Sequence, residues 1–502
     1  MALSKHKREV YRRKIESFWL DFSHNKIGFF GLIIVIGIVI IAITAPLLTP
    51  YTPRTLLEQK ERLATTYAVP AWFTIFPQFS DYCPTVKITP DLNGITIINQ
   101  SGPIETNLDK LNINLTLTES SSREASITLD LGKFNYPYSS PPSFQIRVNY
   151  TLFYNRTGTG LKTYFIIKNY TTYPTWEYFI NPNEVEIKIG TFYPPPQKYM
   201  TSNKTENELE LNSVHASSQI FNFSRIEAAP ADPASLIFPE KGIYGIQVKF
   251  EFFNTTTKGT NAQLYLREVH LDIWGNAHGI LGTNFLGGDV WTELVYGARI
   301  SLIVGILAAL AATTLGITYG VISGYLGGFV DEFLMRIVDV LLCIPILPIL
   351  LVLMRYFKPN VYYIVVLIAI FGWQGLSRVI RSRVLSLKEM AFIESAKASG
   401  ASDSYLIVRH LIPNVLPIAM SAMVLAVPGA IITEASLTFL GFGDLNTPTW
   451  GRILYYAYQQ HGLEKWWVWV PPGLAICLLC LGFVFMGHAI DEIVNPRLRR
   501  RR

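Results

Sequence analysis

The sequence predicts an all-α transmembrane bundle of six helices that carries an added β-rich domain, of sandwich or jelly-roll type, between its first two spans. Three observations lead there: uncharged runs long enough to cross a membrane, one long segment of short alternating strands, and a Lys and Arg distribution that puts this segment outside. Of 502 residues, 50% are hydrophobic and 16% charged, against about a quarter charged in an ordinary soluble domain.

The spans follow from length. A hydrocarbon layer needs about 20 residues of helix, and backbone in lipid must satisfy its hydrogen bonds internally. Residues 1–26 are a basic tail with Lys5, Lys7, Arg8, Arg12, Arg13 and Lys14. The apolar run Ile27–Pro53 exceeds the roughly 7–15 residues of a signal-peptide core and no A-x-A site follows, so it reads as a retained anchor over 27–50. Five more runs lie within 276–491: Ile300–Val330, Val340–Met354, Val361–Ser377, Leu411–Thr433 and Trp466–Ile490. Val340–Met354 suffices if Asp339 and Arg355 sit at the interfaces, and Pro345 and Pro348 should kink it. Residues 492–502 form a second basic tail.

Orientation comes from the cations. Both tails are basic, and so is the loop 378–413, with Arg378, Arg381, Arg383, Lys388, Lys397 and Arg409 against Glu389, Glu394 and Asp403. Six spans place all three on one side, the cytoplasm, of a multi-pass cell-membrane protein. The net charge of +6 is then topological, and no nucleic-acid partner is needed. The lipid membrane is the first partner.

Residues 51–275 are different material. They hold 19 basic and 21 acidic residues, with runs such as "NINLTLT" and "GIQVKFEFF" between turn clusters such as "PYSSPPS". Alternation at period two bounded by turns reads as antiparallel β structure. The topology makes it extracellular. All eight N-x-S/T sequons fall here, at Asn99, Asn114, Asn149, Asn155, Asn169, Asn203, Asn222 and Asn254, as candidate N-glycosylation sites on an outer surface. Cys83 is its lone cysteine, so no disulfide staples it; Cys343, Cys477 and Cys480 read as small apolar packers in spans.

The polar interruption "ESAKASGASDSYLIVRHLIP" (394–413) lies between two spans. Ala391–Ser399 suits a short helix, Gly400 a left-handed ending, and Ser402 or Asp403 a cap for a next helix running to Ile412 before Pro413. An ordinary interfacial loop would satisfy the same composition. The spacing says more: Glu394-Ser395-Ala396, then Gly400, then Pro413 resembles the EAA motif of ABC-importer permeases. The segments 25–53, 279–302, 298–345 and "EASLTFLGFGDLNTPTWGRIL" (434–454) resemble the second-type subunit of the dipeptide/oligopeptide permease family. Ser395 stands where that family usually has Ala, and His410 where an aliphatic residue is usual. Asn284 and Gly288 replace a common Asp and Arg, which questions any salt bridge there. The β-rich domain has no counterpart in the family's pattern.

The resemblance implies the ABC type I importer permease fold and half of a translocation pathway for peptides or oligosaccharides. A homologous first-type permease supplies the other half. Two P-loop ATPase subunits, which use the ATP and Mg, dock at the EAA loop, and an extracellular substrate-binding protein delivers cargo. Glu394, Ser395, Ala396, Gly400, Ala401, Ser402, Asp403, Arg409 and Pro413 become the ATPase-coupling residues. No G-x-x-x-x-G-K-[ST] loop occurs, so the chain is not expected to be an enzyme or to bind a cofactor. A secondary transporter has little support, because intramembrane charges are few and no inverted repeat is visible. A multi-span surface receptor using the outer domain is the other alternative.

Remaining polar residues carry two readings each. Asp331, Glu332, Arg336 and Asp339 suit an interfacial turn better than a gate, with Asp339 the pathway candidate. Glu434 could line the pathway or snorkel outward. His488 reads as a polar packing residue. Trp450, Trp466, Trp467 and Trp469 read as an aromatic belt.

Overall fold

The computed structural model describes residues 16–53, 62–102, 104–107, 112–117, 124–138, 141–154, 159–170, 184–192, 204–212, 234, 237–238, 241–254, 260–357 and 360–494. The basic residues of 1–15 and 495–502, and the sequons at Asn155, Asn203 and Asn222, lie outside them. The chain divides into two compact units, Met1–Glu61 with Gly288–Arg502, and Arg62–Gly287.

The first unit is helical. Helix α1 (Lys26–Leu48) is capped by Asn25, whose side chain accepts the Gly28 amide at 3.0 Å. Helix α2 (Val290–Leu326) is capped by Asp289, which accepts the Thr292 amide at 2.8 Å. Its 37 residues span about 55 Å, well beyond a hydrocarbon core of about 30 Å. Helices α3 (Gly328–Cys343) and α4 (Ile346–Tyr356) meet at 85°. The kink expected within Val340–Met354 is a sharp break between the two helices. Ile344 is extended, at φ −80 and ψ 124, because a following proline clashes with helical backbone. Pro348 adds no second kink: it falls in the first turn of α4, where a missing N–H goes unused.

Helices α5 (Val361–Gly372) and α6 (Gln374–Lys388) meet at 42°. A short helix α7 (Ala391–Ala398) leads through a bend into α8 (Asp403–Leu406), a π turn over Ile407–Leu411 and α9 (Ile412–Phe439), which run on as one span. Helices α10 (Trp450–Gln459) and α11 (Trp466–Val494) close the unit. Among the described residues, four helices are long and apolar enough to cross a membrane, or up to six if each bent pair is one span. Close approach is built from small residues: a Cβ at Gly320 on α2 would lie 2.5 Å from the Ser377 carbonyl of α6.

Several expected roles change. Trp466 and Trp469 are exposed, but Trp450 and Trp467 are buried. Trp450 donates its indole N–H to the Leu294 carbonyl at 2.9 Å, so its polar atom is satisfied internally rather than at an interface. His488 is exposed, as are Cys343 and Cys477, so none of the three packs inside the chain.

The second unit is a jelly roll. Its strands are β1 (Val86–Ile88), β2 (Thr96–Ser101), β3 (Ile104–Asn107), β4 (Asn112–Leu117), β5 (Glu124–Tyr136), β6 (Ser143–Tyr154), β7 (Thr159–Asn169), β8 (Glu184–Phe192), β9 (Lys204–Asn212), β10 (Gly242–Asn254) and β11 (Thr260–Trp274). One sheet runs β3-β4-β11-β6-β9, with β1 also on β11, and the other β2-β5-β10-β7-β8. The strands β4 to β11 pair from the outside in: β4 with β11, β5 with β10, β6 with β9, β7 with β8. That is one long hairpin rolled into two sheets, which decides between the sandwich and the jelly roll. Alternation drives it. In β5, Ala125, Ile127, Leu129 and Leu131 turn inward and meet Phe144, Val148, Tyr150, Phe165, Phe250 and Leu264.

The unit's ends differ from the 51–275 boundary. Residues 276–287 bond back to 62–71: Leu63 N–H reaches the Gly287 carbonyl at 3.0 Å, Val69 that of Asn276 at 2.8 Å, and Ala71 that of Gly279 at 2.9 Å. Among the described sequons, Asn99 is exposed on the edge strand β2, and Asn114, Asn169 and Asn254 lie on β4, β7 and β10. Asn149 sits mid-strand between Glu268 and Glu208, and its Oδ1 is buried.

Candidate functional site

The bend after α7 is made by local chemistry. Ile393 is buried and holds the helix to the unit, while Glu394, Ser395 and Lys397 are exposed and Ala396 half-buried. Gly400 ends the helix at φ +80. Its N–H bonds the Lys397 carbonyl at 3.0 Å, and that of Ala401 the Ala396 carbonyl at 3.1 Å. These are the two bonds of a Schellman ending. Nothing lies within 4 Å of a Cβ built on Gly400, so glycine is required there by backbone conformation and not by crowding. Ser402 then caps α8, accepting the Tyr405 amide at 3.4 Å.

The next helix does not stop at Ile412. The Ile412 N–H bonds the Ile407 carbonyl, five residues back, in the π turn. Widening the helix here admits Pro413, which has no N–H to give and whose ring would crowd an α-helical carbonyl. The bend is thus joined rigidly to the long span. Arg409 and Pro413 are exposed on it. Exposed Phe392 and Tyr405 flank His410, at ring distances of 6.1 and 5.6 Å.

Asp403 stands apart from the other motif residues. Its Oδ1 accepts the Tyr325 hydroxyl at 2.5 Å. Lys388 at the end of α6 donates to the Tyr325 carbonyl at 2.8 Å, and its ammonium lies 5.8 Å from the Tyr325 ring. The bend is thereby tied to the end of α2. Nearby, Arg381 grips Asp331 with two bonds of 2.5 Å, Ser323 donates to the same carboxylate, and Arg378 pairs with Asp339. Asp331, Asp339, Arg378 and Arg381 line a groove of about 460 Å³ with Glu332 and Arg336. Asp339 is therefore an exposed ion-pair partner of Arg378 in this groove.

Glu434 neither lines an open surface nor reaches outward. It is buried, and its Oε1 accepts the Thr438 hydroxyl at 2.9 Å. At the Asp289 end of α2, Arg452 of α10 pairs with Glu293 at 2.9 Å, both buried, and also reaches the Leu445 and Asn446 carbonyls. The sequence reading missed this pair, and missed Tyr325 and Lys388. Arg452 lies inside the quoted segment 434–454, so a signal existed: a lone arginine beside a tryptophan in an apolar motif needs a partner.

Two family models match the chain. Residues 316–500 match the binding-protein-dependent transport system inner membrane component. Residues 15–68 match the N-terminal TM domain of oligopeptide transport permease C. Strands β1 to β11 fall between the two. The dipeptide transport system permease protein DppC of Bacillus subtilis is 36% identical over 221 residues, 44% of this chain and 69% of its own. The oligopeptide transport system permease protein OppC of Escherichia coli K12 is 37% identical over 220 residues, 43% of this chain and 72% of its own. A chain of the MetNI methionine ABC transporter, in an inward-facing conformation, aligns with 41% of this chain and 97% of its own at 18% identity and a TM-score of 0.33.

Proposed function

This chain belongs to the dipeptide/oligopeptide permease family of binding-protein-dependent transport systems, and we propose that it forms one half of the translocation pathway of an ATP-driven peptide importer. Peptide cargo rests on what the relatives' names state. The other half is a homologous first-type permease, and two P-loop ATPases power the pair. Orientation rests on the basic residues: both termini and the bend after α7 are cytoplasmic, and the jelly roll is extracellular.

One observation carries the mechanism. The bend presents Glu394, Ser395 and Gly400 outward, and is fastened to α9 through the π turn and to α2 through Asp403 and Tyr325. A push on an exposed elbow so fastened moves two spans together. That is a two-state element able to couple ATP closure to the pathway, with a coupling energy of about 1–3 kcal/mol.

The test is reconstitution. The chain, its genomic neighbour permease and the neighbouring ATPases are placed in liposomes with the binding protein inside or outside. ATP-dependent uptake of labelled peptide, with ATP hydrolysis lost when this chain is left out, is expected. Uptake driven by an ion gradient without ATPases would sink the reading.

A further inference from the structure

Two of the described sequons sit in opposite surroundings. Asn99-Gln100-Ser101 lies on β2, which ends its sheet and, among the described residues, pairs with β5 alone. The register slips between Ile97 and Asn99, so Ile98 is the extra residue of a bulge. Ile98 is 49% exposed, and Asn99 and Ser101 are exposed with it. The Ser101 hydroxyl meets that of Ser126 at 2.9 Å on the surface, where water can take its place. Gly102 follows at φ +85 and ends the strand. Asn149-Tyr150-Thr151 lies instead on β6, inside its sheet between β11 and β9. The Asn149 Oδ1 is buried. Thr151 is 1% exposed, and its Oγ1 accepts the Arg267 Nε–H at 2.7 Å.

We propose that Asn99 carries an asparagine-linked oligosaccharide and that Asn149 does not. This rests on the outward orientation of the jelly roll and adds to it which asparagine is modified. The donor is a lipid-linked oligosaccharide, and the catalyst is an oligosaccharyltransferase facing the same side of the membrane. The Asn99 Nδ2 attacks C1 of the first sugar. A C1–N bond forms, the C1–O bond to the lipid phosphate breaks, the phosphate leaves with the electron pair, and the amide gives up one proton. The sequon's third residue is required as well, so the enzyme must reach a carboxamide and a hydroxyl together. On β2 both groups are at the surface, and the free edge admits a large body without opening the sheet. On β6 the same reach would part the strand from two neighbours and strip Thr151 from Arg267. A glycan on Asn99 also stands beside an edge otherwise open to pairing with a further strand.

The experiment takes the full chain from membranes of the organism that makes it, cuts it with protease and weighs the peptides by mass spectrometry. The peptide holding Asn99 is expected to carry the added mass of an oligosaccharide, and the peptide holding Asn149 to be bare. Ser101→Ala should remove the added mass although Asn99 remains, and Ser101→Thr should keep it. An unmodified Asn99, or a glycan on Asn149, overturns the proposal. A membrane-impermeant amine reagent added to intact cells separates this failure from that of the orientation, because Lys133 is exposed on β5 of the same unit. If Lys133 is labelled and Asn99 is bare, the orientation stands and the glycan falls. If Lys133 is labelled only after the cells are broken, both fall.

Discussion

Two groups of ion pairs lie near opposite ends of α2, where Glu293 and Tyr325 are about 48 Å apart at 1.5 Å per residue, and they are built to opposite specifications. At the first, Arg452 and Glu293 meet at 2.9 Å with side chains 2% and 8% exposed, and two backbone carbonyls finish the guanidinium. At the second, Asp331 and Arg381 are 12% and 33% exposed, and Asp339 and Arg378 45% and 50%. A buried pair that loses a partner leaves a charge without solvent, whereas an exposed pair trades its partner for water. The difference teaches which end is fixed. The Glu293 end rivets α2 to α10, while the motif end holds its charges in a groove where pairs can open and close. If the proposed ATPase coupling acts at the motif end, it acts where the ion pairs are the more exposed.

The sharpest way to break this comparison is at the rivet. Arg452→Ala should destabilise the protein by about 3–5 kcal/mol, read as a large fall in the thermal midpoint of purified protein and in membrane abundance. Replacing both partners, Arg452→Met with Glu293→Leu, should recover most of that loss. If Arg452→Ala and Arg378→Ala lower the midpoint equally, the two ends are not different in kind.

What the sequence showed and hid follows from distance along the chain. The bend was legible because its signals are local: Gly400 supplies positive φ and Ser402 a cap within two residues of each other. The strands were legible from alternation, but their partnership was not, since β4 finds β11 only after some 140 intervening residues have folded back. The same holds for Tyr325 with Asp403, 78 residues apart, and Arg452 with Glu293, 159 apart. Pro345 foretold a kink, but the 85° between α3 and α4 depends on how the arms pack. Pro413 misled: it reads as a helix stop, and only the π turn before it lets the span continue.

Next in size is the tie between the bend and α2. Tyr325→Phe removes a hydrogen bond to a carboxylate, worth about 1.5–3 kcal/mol, although exposed Asp403 can take water instead and keep the loss near the lower figure. Abundance should stay close to normal. Import per ATP should fall, because the elbow then moves without carrying the end of α2. An unchanged ratio of uptake to ATP turnover would remove Tyr325 from the transmission path.

Gly400→Val tests the elbow's shape. The strain of a left-handed β-branched residue is about 1–2 kcal/mol, with no steric clash added, since the space around Gly400 is open. The variant should insert and fold. It should weaken ATPase binding or separate hydrolysis from import, as measured by co-purification and by paired uptake and ATPase assays. Full coupling in this variant would make the Schellman ending incidental.

The smallest effect belongs to the groove, and it sharpens the comparison most. Asp339→Asn removes a pair whose partners are both about half exposed, so its stability change should lie within about 0–1 kcal/mol and shrink as salt is raised. Asp331→Asn, beside the more buried partner held by Arg381 and Ser323, should cost more and depend less on salt. Thermal midpoints of both variants at low and high ionic strength give the two slopes. If Asp339→Asn proves as damaging as Asp331→Asn and as indifferent to salt, the groove is shut to water, and the motif end is riveted like the other.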